Sequence, residues 1–259
     1  MDTLTAILLF TALSGVLSAL IAGALLLLSA ERRDRILPHS VSFATGTLLA
    51  TALLALIPHA LTEAGPLNVY GVGVALLCGI ALFFVLEKFL LWRHCHTEAV
   101  ETAHTHEHHR REVSGWLIMV GDSLHNFIDG VLIAAAFLTD FHLGMVTTFA
   151  ILAHEIPQEV GNFALLLYGG FSRLRAFTWN VLSSLTAVLG GLVGWYALRD
   201  AMTLLPYALS IAAATLLYVA VADLIPGLHK RTDLRASAFQ VLWIGAGIGL
   251  IILAESQLH

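Results

Sequence analysis

One apolar stretch of the chain carries several groups that could bind a metal ion. In "DSLHNFIDGVLIAAAF", residues 122–137, His125 and Asp129 are four positions apart and therefore project from one face of a helix. Asn126 borders the same face. An ionisable side chain in the middle of a membrane helix costs about 2.5–3.5 kcal/mol by insertion scales, so such a group normally has a function.

A second stretch, "LAHEIPQEVGNFALLL" at residues 152–167, repeats this pattern. His154 and Gln158 are four apart, and Glu155 borders their face. Imidazole and carboxylate ligands together suit zinc, and cobalt, nickel, iron(II) or manganese are also compatible with them. A lone intramembrane His or Asn is often an interhelical hydrogen bond, but two such clusters on consecutive helices favour a metal site.

The composition indicates which elements must position these groups. The chain has 259 residues, of which 58% are hydrophobic and 12% charged, whereas soluble proteins carry about a quarter charged residues. Runs of roughly 20 apolar residues predict membrane-spanning helices, in one transmembrane domain covering residues 1–259. The eight predicted helices are about 4–29, 40–62, 68–92, 114–138, 142–169, 177–198, 204–227 and 237–255. We expect Gly130 and Gly161 to allow close approach of neighbouring backbones.

The basic residues predict the orientation of the helices. Of the 13 Lys and Arg residues, all except Arg199 lie in or beside every second connection between helices, and therefore on one side of the membrane. Cytoplasmic loops accumulate basic residues, so this side is predicted to be the cytoplasm. Both termini are therefore predicted to be extracytoplasmic. The net charge of −5 is mild and argues against a nucleic-acid partner.

Other polar side chains could line the path of an ion, and for each of them a structural hydrogen bond or a polar helix cap is the alternative. These side chains are Asp122, Glu159, Ser183, Ser184, His59 and Asp223. The connection at about 93–113 is rich in histidine, and we expect a disordered cytoplasmic loop that binds metal weakly or serves only as a solvated linker. Its histidines are His94, His96, His104, His106, His108 and His109.

Two short motifs carry a family resemblance. "HNFIDG" and "HEIPQE" are similar to the paired signatures of the ZIP (ZRT/IRT-like) divalent-metal transporters, and the nearest branch is the one with an HEXPHE motif. "LIPHAL", "FFVLEKFL" and "LYVAVADLIP" agree with it. The resemblance implies eight helices in a 3+2+3 bundle, alternating access, and metal flow toward the cytoplasm through a site between helices 4 and 5.

The resemblance also implies ligands. His125, Asp129, His154 and the residue at 158 would form the primary site, while Asn126 and Glu155, together with Asp129, would hold an adjacent second ion. This chain has Gln158 where the branch has His, Ile128 where Thr is usual, and Asn162 where Asp is common. A glutamine offers one neutral oxygen and cannot bridge two ions, which favours one strong site.

The sequence therefore predicts a transporter without a catalytic cofactor, which carries Zn²⁺ or else Fe²⁺, Mn²⁺, Cd²⁺ or Co²⁺ through a lipid bilayer. Compact loops without an extracellular domain favour a bacterial type in the inner cell membrane, with an organelle membrane as the alternative. A homodimer is left open. The alternative function is an intramembrane zinc metalloprotease, but its H-E-x-x-H motif needs a second histidine that "HEIPQ" lacks.

Overall fold

The computed structural model describes residues 1–99, 107–168, 170–230 and 233–256. Within these ranges the chain forms eight long helices and no strand. The helices are α1 (Thr3–Leu26), α2 (Ala30–Ala64), α3 (Val69–Ala99), α4 (Glu107–Thr139), α5 (Phe141–Tyr168), α6 (Arg173–Leu198), α7 (Met202–Leu228) and α8 (Leu234–Ser256).

Among the described residues, six helices are long and apolar enough to cross a membrane, namely α1, α2, α3, α6, α7 and α8. The other two, α4 and α5, carry the polar side chains described above. This arrangement confirms the predicted all-helical membrane fold. The pair α4 and α5 lies in the middle of the chain order, between three long helices on each side.

Several helices extend beyond the apolar segments that locate them in the sequence. Helix α2 begins ten residues before the predicted start at 40, because its first turns carry the charged residues after the cap Ser29. Likewise, α3 continues to Ala99 and α4 begins at Glu107, so the helices enter the range 93–113 that was expected to be a loop. Hydropathy locates only the part of a helix that sits in hydrocarbon.

Two helices contain matching π-helical segments. They are Thr51–Leu56 in α2 and Val219–Leu224 in α7, and each leads into a Leu-Ile-Pro sequence. In both, the isoleucine amide donates to the carbonyl oxygen five residues earlier. Pro58 and Pro226 have no amide hydrogen for the carbonyl four residues earlier. The hydrogen-bond ladder therefore widens by one residue before each proline, as in π-bulges near functional sites.

Helix packing divides the bundle into two groups. Helices α1, α4, α5 and α6 pack on one another, and α2, α3, α7 and α8 form the second group. Helix α2 packs on α5 and helix α7 on α4 across the boundary. The polar faces of α4 and α5 therefore belong to the first group and lie close to the second.

Glycines allow α4 to pack directly on the backbone of α6. A Cβ atom added at Gly130 would overlap the carbonyl oxygen of Ala187, and one added at Gly190 would overlap that of Phe127. Small residues permit such close helix contacts in membranes. The expectation of a close backbone approach at Gly161 was wrong, because no described atom lies within 4 Å of a Cβ built there.

A single residue connects α4 to α5. Helix α4 ends at Thr139 and α5 begins at Phe141. The Oδ1 atom of Asp140 between them accepts hydrogen bonds from the amides of His142 and Leu143, at 2.8 and 3.0 Å. This cap satisfies free amides at the start of α5, and the two helices form a tight antiparallel hairpin.

Candidate metal centre

Four side chains of the α4–α5 hairpin meet at one point. One potential ligand atom from each of His125, Asp129, His154 and Glu155 lies within 4.8 Å of the other three. The side chains of Asp129, His154 and Glu155 are almost fully buried, whereas that of His125 is 16% exposed. The four residues are called the ligand cluster below.

Five of the six distances in the ligand cluster are close to those of a tetrahedron, and the sixth pair, Asp129 and Glu155, lies within 4.8 Å. The His125 Nε2 atom lies 3.2 Å from His154 Nε2, 3.7 Å from Asp129 Oδ2 and 3.5 Å from Glu155 Oε1. His154 Nε2 lies 3.5 Å from Asp129 Oδ2 and 3.7 Å from Glu155 Oε1. Zinc ligands at about 2.0–2.2 Å in tetrahedral geometry are about 3.3–3.6 Å from one another. Octahedral magnesium at about 2.0–2.1 Å requires shorter separations of about 2.9 Å.

Three oxygen atoms of the ligand cluster lack hydrogen-bond donors among the described residues. They are Asp129 Oδ2 and both carboxylate oxygens of Glu155, all of which are shielded from solvent. A buried carboxylate is strongly unfavourable unless a cation or several donors compensate it. The arrangement is therefore suited to binding a cation.

The imidazole of His154 is oriented by its own helix. Its Nδ1 atom lies 3.4 Å from the carbonyl oxygen of Ala150, one turn earlier in α5. A proton on Nδ1 donates to this oxygen, and the Nε2 lone pair then points to the ligand cluster. Metal-binding histidines commonly have such a partner on the other ring nitrogen.

A second polar layer lies about one turn away and is centred on Asp122. Its Oδ1 atom accepts hydrogen bonds from Asn162 Nδ2 at 2.6 Å and Gln158 Nε2 at 3.4 Å. The Nδ2 atom of Asn126 donates to the backbone oxygen of Asp122 at 3.1 Å. Thus two residues that the sequence predicts as ligands, Asn126 and Gln158, direct their amide nitrogens to Asp122.

Another buried carboxylate, Glu159, joins α5 to α6. Its Oε1 atom accepts a hydrogen bond from Ser184 Oγ at 2.6 Å, and its backbone oxygen accepts one from Asn180 Nδ2 at 3.2 Å. Ser183 donates within its own helix, to the Asn180 carbonyl. Asn180 is not among the residues predicted from the sequence, although an amide in an apolar helix is itself a signal of buried hydrogen bonding.

Two of the side chains predicted to line the path of the ion lie on helices α2 and α7. On α2, the Nδ1 atom of His59 is 2.9 Å from the Ala55 carbonyl oxygen, and Asp223 is exposed in the π-helical segment of α7. Of the predicted histidine-rich loop, His104 and His106 lie outside the described residues. His94 and His96 are part of α3, and His108 and His109 are part of α4. The side chains of these four histidines are also outside the described part of the structure.

Comparison with known proteins agrees with this geometry. The family model "ZIP Zinc transporter" matches residues 3–255. The chain is 32% identical over 233 residues to the zinc transporter ZIP13 of Pongo abelii, covering 84% of this chain and 66% of that protein. It is 33% identical over 145 residues to the zinc transporter ZIP10 of Danio rerio, covering 53% of this chain and 17% of that protein.

A third relative is the zinc transporter ZIP4 of Mus musculus, 31% identical over 256 residues, covering 75% of this chain and 39% of that protein. The chain thus spans between 17% and 66% of the length of these three relatives. The family match, in contrast, extends over nearly all of the chain. By that match the protein belongs to the ZIP zinc transporter family.

Proposed function

We propose that the protein transports divalent metal ions across a membrane, with zinc as the main substrate. The observation that carries the proposal is the tetrahedron of ligand atoms from His125, Asp129, His154 and Glu155. The zinc transporters among the relatives support it further. The residues act as ligands only, and no covalent step is needed.

The charges of the ligand cluster favour a divalent ion. Two ionised carboxylates and two neutral imidazoles carry a total charge of −2, which one divalent cation neutralises. A neutral assembly avoids the large penalty of net charge inside a bilayer. Cobalt, iron(II) and manganese accept the same ligand types, so these ions are expected to compete with zinc.

One ion at a time is the stoichiometry that the contacts support. A second ion would need Asn126 as a ligand, but the Asn126 amide nitrogen donates to the backbone oxygen of Asp122. Glu155 lies within 3.5 Å of His125 Nε2 and 3.7 Å of His154 Nε2, which makes it a fourth ligand of the same ion.

The surroundings of the ligand cluster support alternating access. Toward the α4–α5 turn, the next residues of both helices are buried in the largest apolar core of the described chain, for example Ile133, Leu143 and Ile151. In the opposite direction the chain provides Asp122 and Glu159. An ion can reach both sides only if the packing between the two helix groups changes. The basic residues favour the Asp122 side as cytoplasmic. We propose uptake toward that side, through an inner cell membrane.

The proposal is tested by zinc flux into proteoliposomes that contain a zinc-sensitive dye. Wild-type protein should transport zinc, whereas His125→Ala and Asp129→Asn should reduce the rate to that of empty liposomes. His229→Ala and Asp200→Asn are matched controls, because both positions are exposed outside the ligand cluster. Flux that survives both ligand substitutions would contradict the proposed site.

The intramembrane metalloprotease gains no support. Its motif needs a second histidine at position 158, where the chain has a glutamine whose amide nitrogen lies beside Asp122. Its catalytic glutamate must remain free as a general base, whereas Glu155 lies at ligand distance from both imidazoles. Cleavage of a peptide without zinc flux would reverse this assignment.

A further inference from the structure

One member of the ligand cluster differs from the other three. The side chain of His125 is 16% exposed, compared with 3% for Asp129 and 1% for His154. His154 also has a carbonyl partner for its Nδ1 atom, whereas the Nδ1 atom of His125 has no hydrogen bond to the described residues. Apart from the contact of its Nε2 atom with His154 Nε2 at 3.2 Å, the His125 ring has no hydrogen bond to the described residues that would orient it.

Aromatic contacts fix this ring. The Phe83 ring packs edge-on against the His125 ring, with centroids 6.1 Å apart and an interplanar angle of 74°. The His154 ring contacts His125 at a centroid distance of 5.5 Å. The Tyr218 ring packs against Phe83 at 5.6 Å. His125 thus lies in a row of four rings, and such tilted or edge-to-face pairs have preferred geometries.

The row of rings crosses the boundary between the two helix groups. His125 and His154 belong to α4 and α5 of the first group, whereas Phe83 lies on α3 and Tyr218 on α7 of the second. Tyr218 is also the residue immediately before the π-helical segment of α7. A change in the packing of α3 and α7 on α4 therefore acts directly on one ligand.

We infer that Phe83, supported by Tyr218, is a positioning residue that holds the His125 imidazole in the metal tetrahedron only while the two helix groups are in contact. When α3 and α7 move away, His125 loses its restraint and becomes the first ligand that can leave the ion. The other three ligands stay fixed on the hairpin. Metal release is thereby coupled to separation of the groups. This inference rests on the proposed transport function.

The inference is tested with full-length protein in detergent, using Co²⁺ as a spectroscopic probe. Tetrahedral Co²⁺ absorbs visible light much more strongly than octahedral Co²⁺. We expect Phe83→Ala to weaken this absorption and to raise the dissociation constant about three- to tenfold, the range that loss of one aromatic contact gives. Phe83→Tyr keeps the ring and should restore both values, and Phe83→Leu should lie between them.

Phe84→Ala is the matched control, because the adjacent Phe84 is 52% exposed and has no ring contact with His125 among the described residues. In zinc flux, Phe83→Ala should raise KM and change the maximal rate much less, since a general folding defect would lower the maximal rate instead. Tyr218→Ala should have the same effect in weaker form.

The outcomes distinguish a failure of the proposed transport function from a failure of the positioning role of Phe83. Wild-type protein that gives neither tetrahedral Co²⁺ absorption nor zinc flux would contradict the proposed function itself. Wild-type protein that gives both, with Phe83→Ala equal to Phe84→Ala in affinity, spectrum and KM, would overturn only the role of Phe83. A loss of maximal rate without a change in KM would also overturn it.

Discussion

The ligand cluster and the layer around Asp122 and Glu159 contain the same kind of group in different environments. Both are buried carboxylate pairs on α4 and α5. Glu155 and Glu159 are about one helical turn apart, and Asp129 and Asp122 about two turns. In the ligand cluster, Asp129 Oδ2 and Glu155 Oε1 face imidazole nitrogens and receive no hydrogen bond from described residues. In the second layer, Asp122 and Glu159 each accept short hydrogen bonds from amide or hydroxyl donors.

This difference gives the two layers different roles: the ligand cluster is suited to binding a cation, and the second layer to joining the helices. Carboxylates without donors are unstable alone and become favourable when a cation arrives. Carboxylates with donors are already satisfied in part, and their hydrogen bonds join α4 to α5 and α5 to α6. The carboxylates of the two layers are alike in residue type and burial, so the layers differ in their neighbours. These are imidazole nitrogens in the ligand cluster, and amide or hydroxyl donors in the second layer. Five substitutions test this distinction, in order of their expected effect on zinc affinity.

Removing a ligand should have the largest effect. We expect His154→Ala to weaken zinc binding by about 100-fold or more, because loss of a residue that only orients a ligand already costs about 10–100-fold. Isothermal titration of purified protein measures this directly. Glu155→Gln should give a loss of the same order, since its neutral amide cannot balance the charge of the ion. Retained affinity in both variants would place the ion elsewhere.

Removing the strongest donor to Asp122 should have an intermediate effect. Asn162→Ala deletes the 2.6 Å hydrogen bond that connects α5 to Asp122 on α4. We expect zinc affinity to fall about tenfold, because this hydrogen bond helps to hold together the two helices that carry the ligands, and loss of groups that hold ligands in place costs about 10–100-fold. The same titration tests this, and the binding stoichiometry should remain one. A loss as large as that of His154→Ala would make Asp122 part of the ligand cluster.

The weaker donor to Asp122 should matter less. The Gln158 amide lies 3.4 Å from Asp122 Oδ1, near the limit for a hydrogen bond. Gln158→Ala is therefore expected to reduce zinc affinity by about twofold, in keeping with a weak contact. If Gln158→Ala instead weakens binding more than Asn162→Ala, the glutamine oxygen is a ligand, as the i, i+4 spacing from His154 first suggested.

The smallest effect on affinity is expected at Ser184. Ser184→Ala removes the hydroxyl donor to Glu159 Oε1 and leaves a buried carboxylate with less compensation. We expect unchanged zinc affinity but a loss of about 1–3 kcal/mol in the free energy of unfolding, the usual penalty for an unsatisfied buried group. Thermal denaturation in detergent without zinc measures it. Unchanged stability together with weaker zinc binding would move Glu159 into the ligand cluster.

Much of the fold follows from the sequence, because hydropathy responds to the bilayer itself. The apolar runs locate all eight long helices of the described chain, and the motifs locate the two that carry the site. The ends are less predictable, since the charged first turns of α2 lie beyond the hydrocarbon and carry no hydropathy signal. The π-helical segments have no signal of their own apart from the proline that follows them.

The sequence predicts which ligands share a face of one helix, but not which residues of the neighbouring helix lie opposite them. The spacing of His125 and Asp129 places them together, but it cannot show at what height α5 crosses α4. In the structure, His154 and Glu155 lie level with His125 and Asp129, whereas Gln158 lies level with Asp122. Helical periodicity relates residues of one helix, while the register between antiparallel helices depends on the turn at Asp140.

That one-residue turn has a consequence for biogenesis. Helices α4 and α5 carry the buried polar side chains of the ligand cluster and of the layer around Asp122. Because Asp140 alone connects them, they can enter the bilayer as a preformed hairpin, with their polar faces turned to each other and away from lipid. Lengthening this connection would delay the meeting of those faces and expose each helix to hydrocarbon separately. The short turn thus keeps the polar faces of the two helices together and away from lipid.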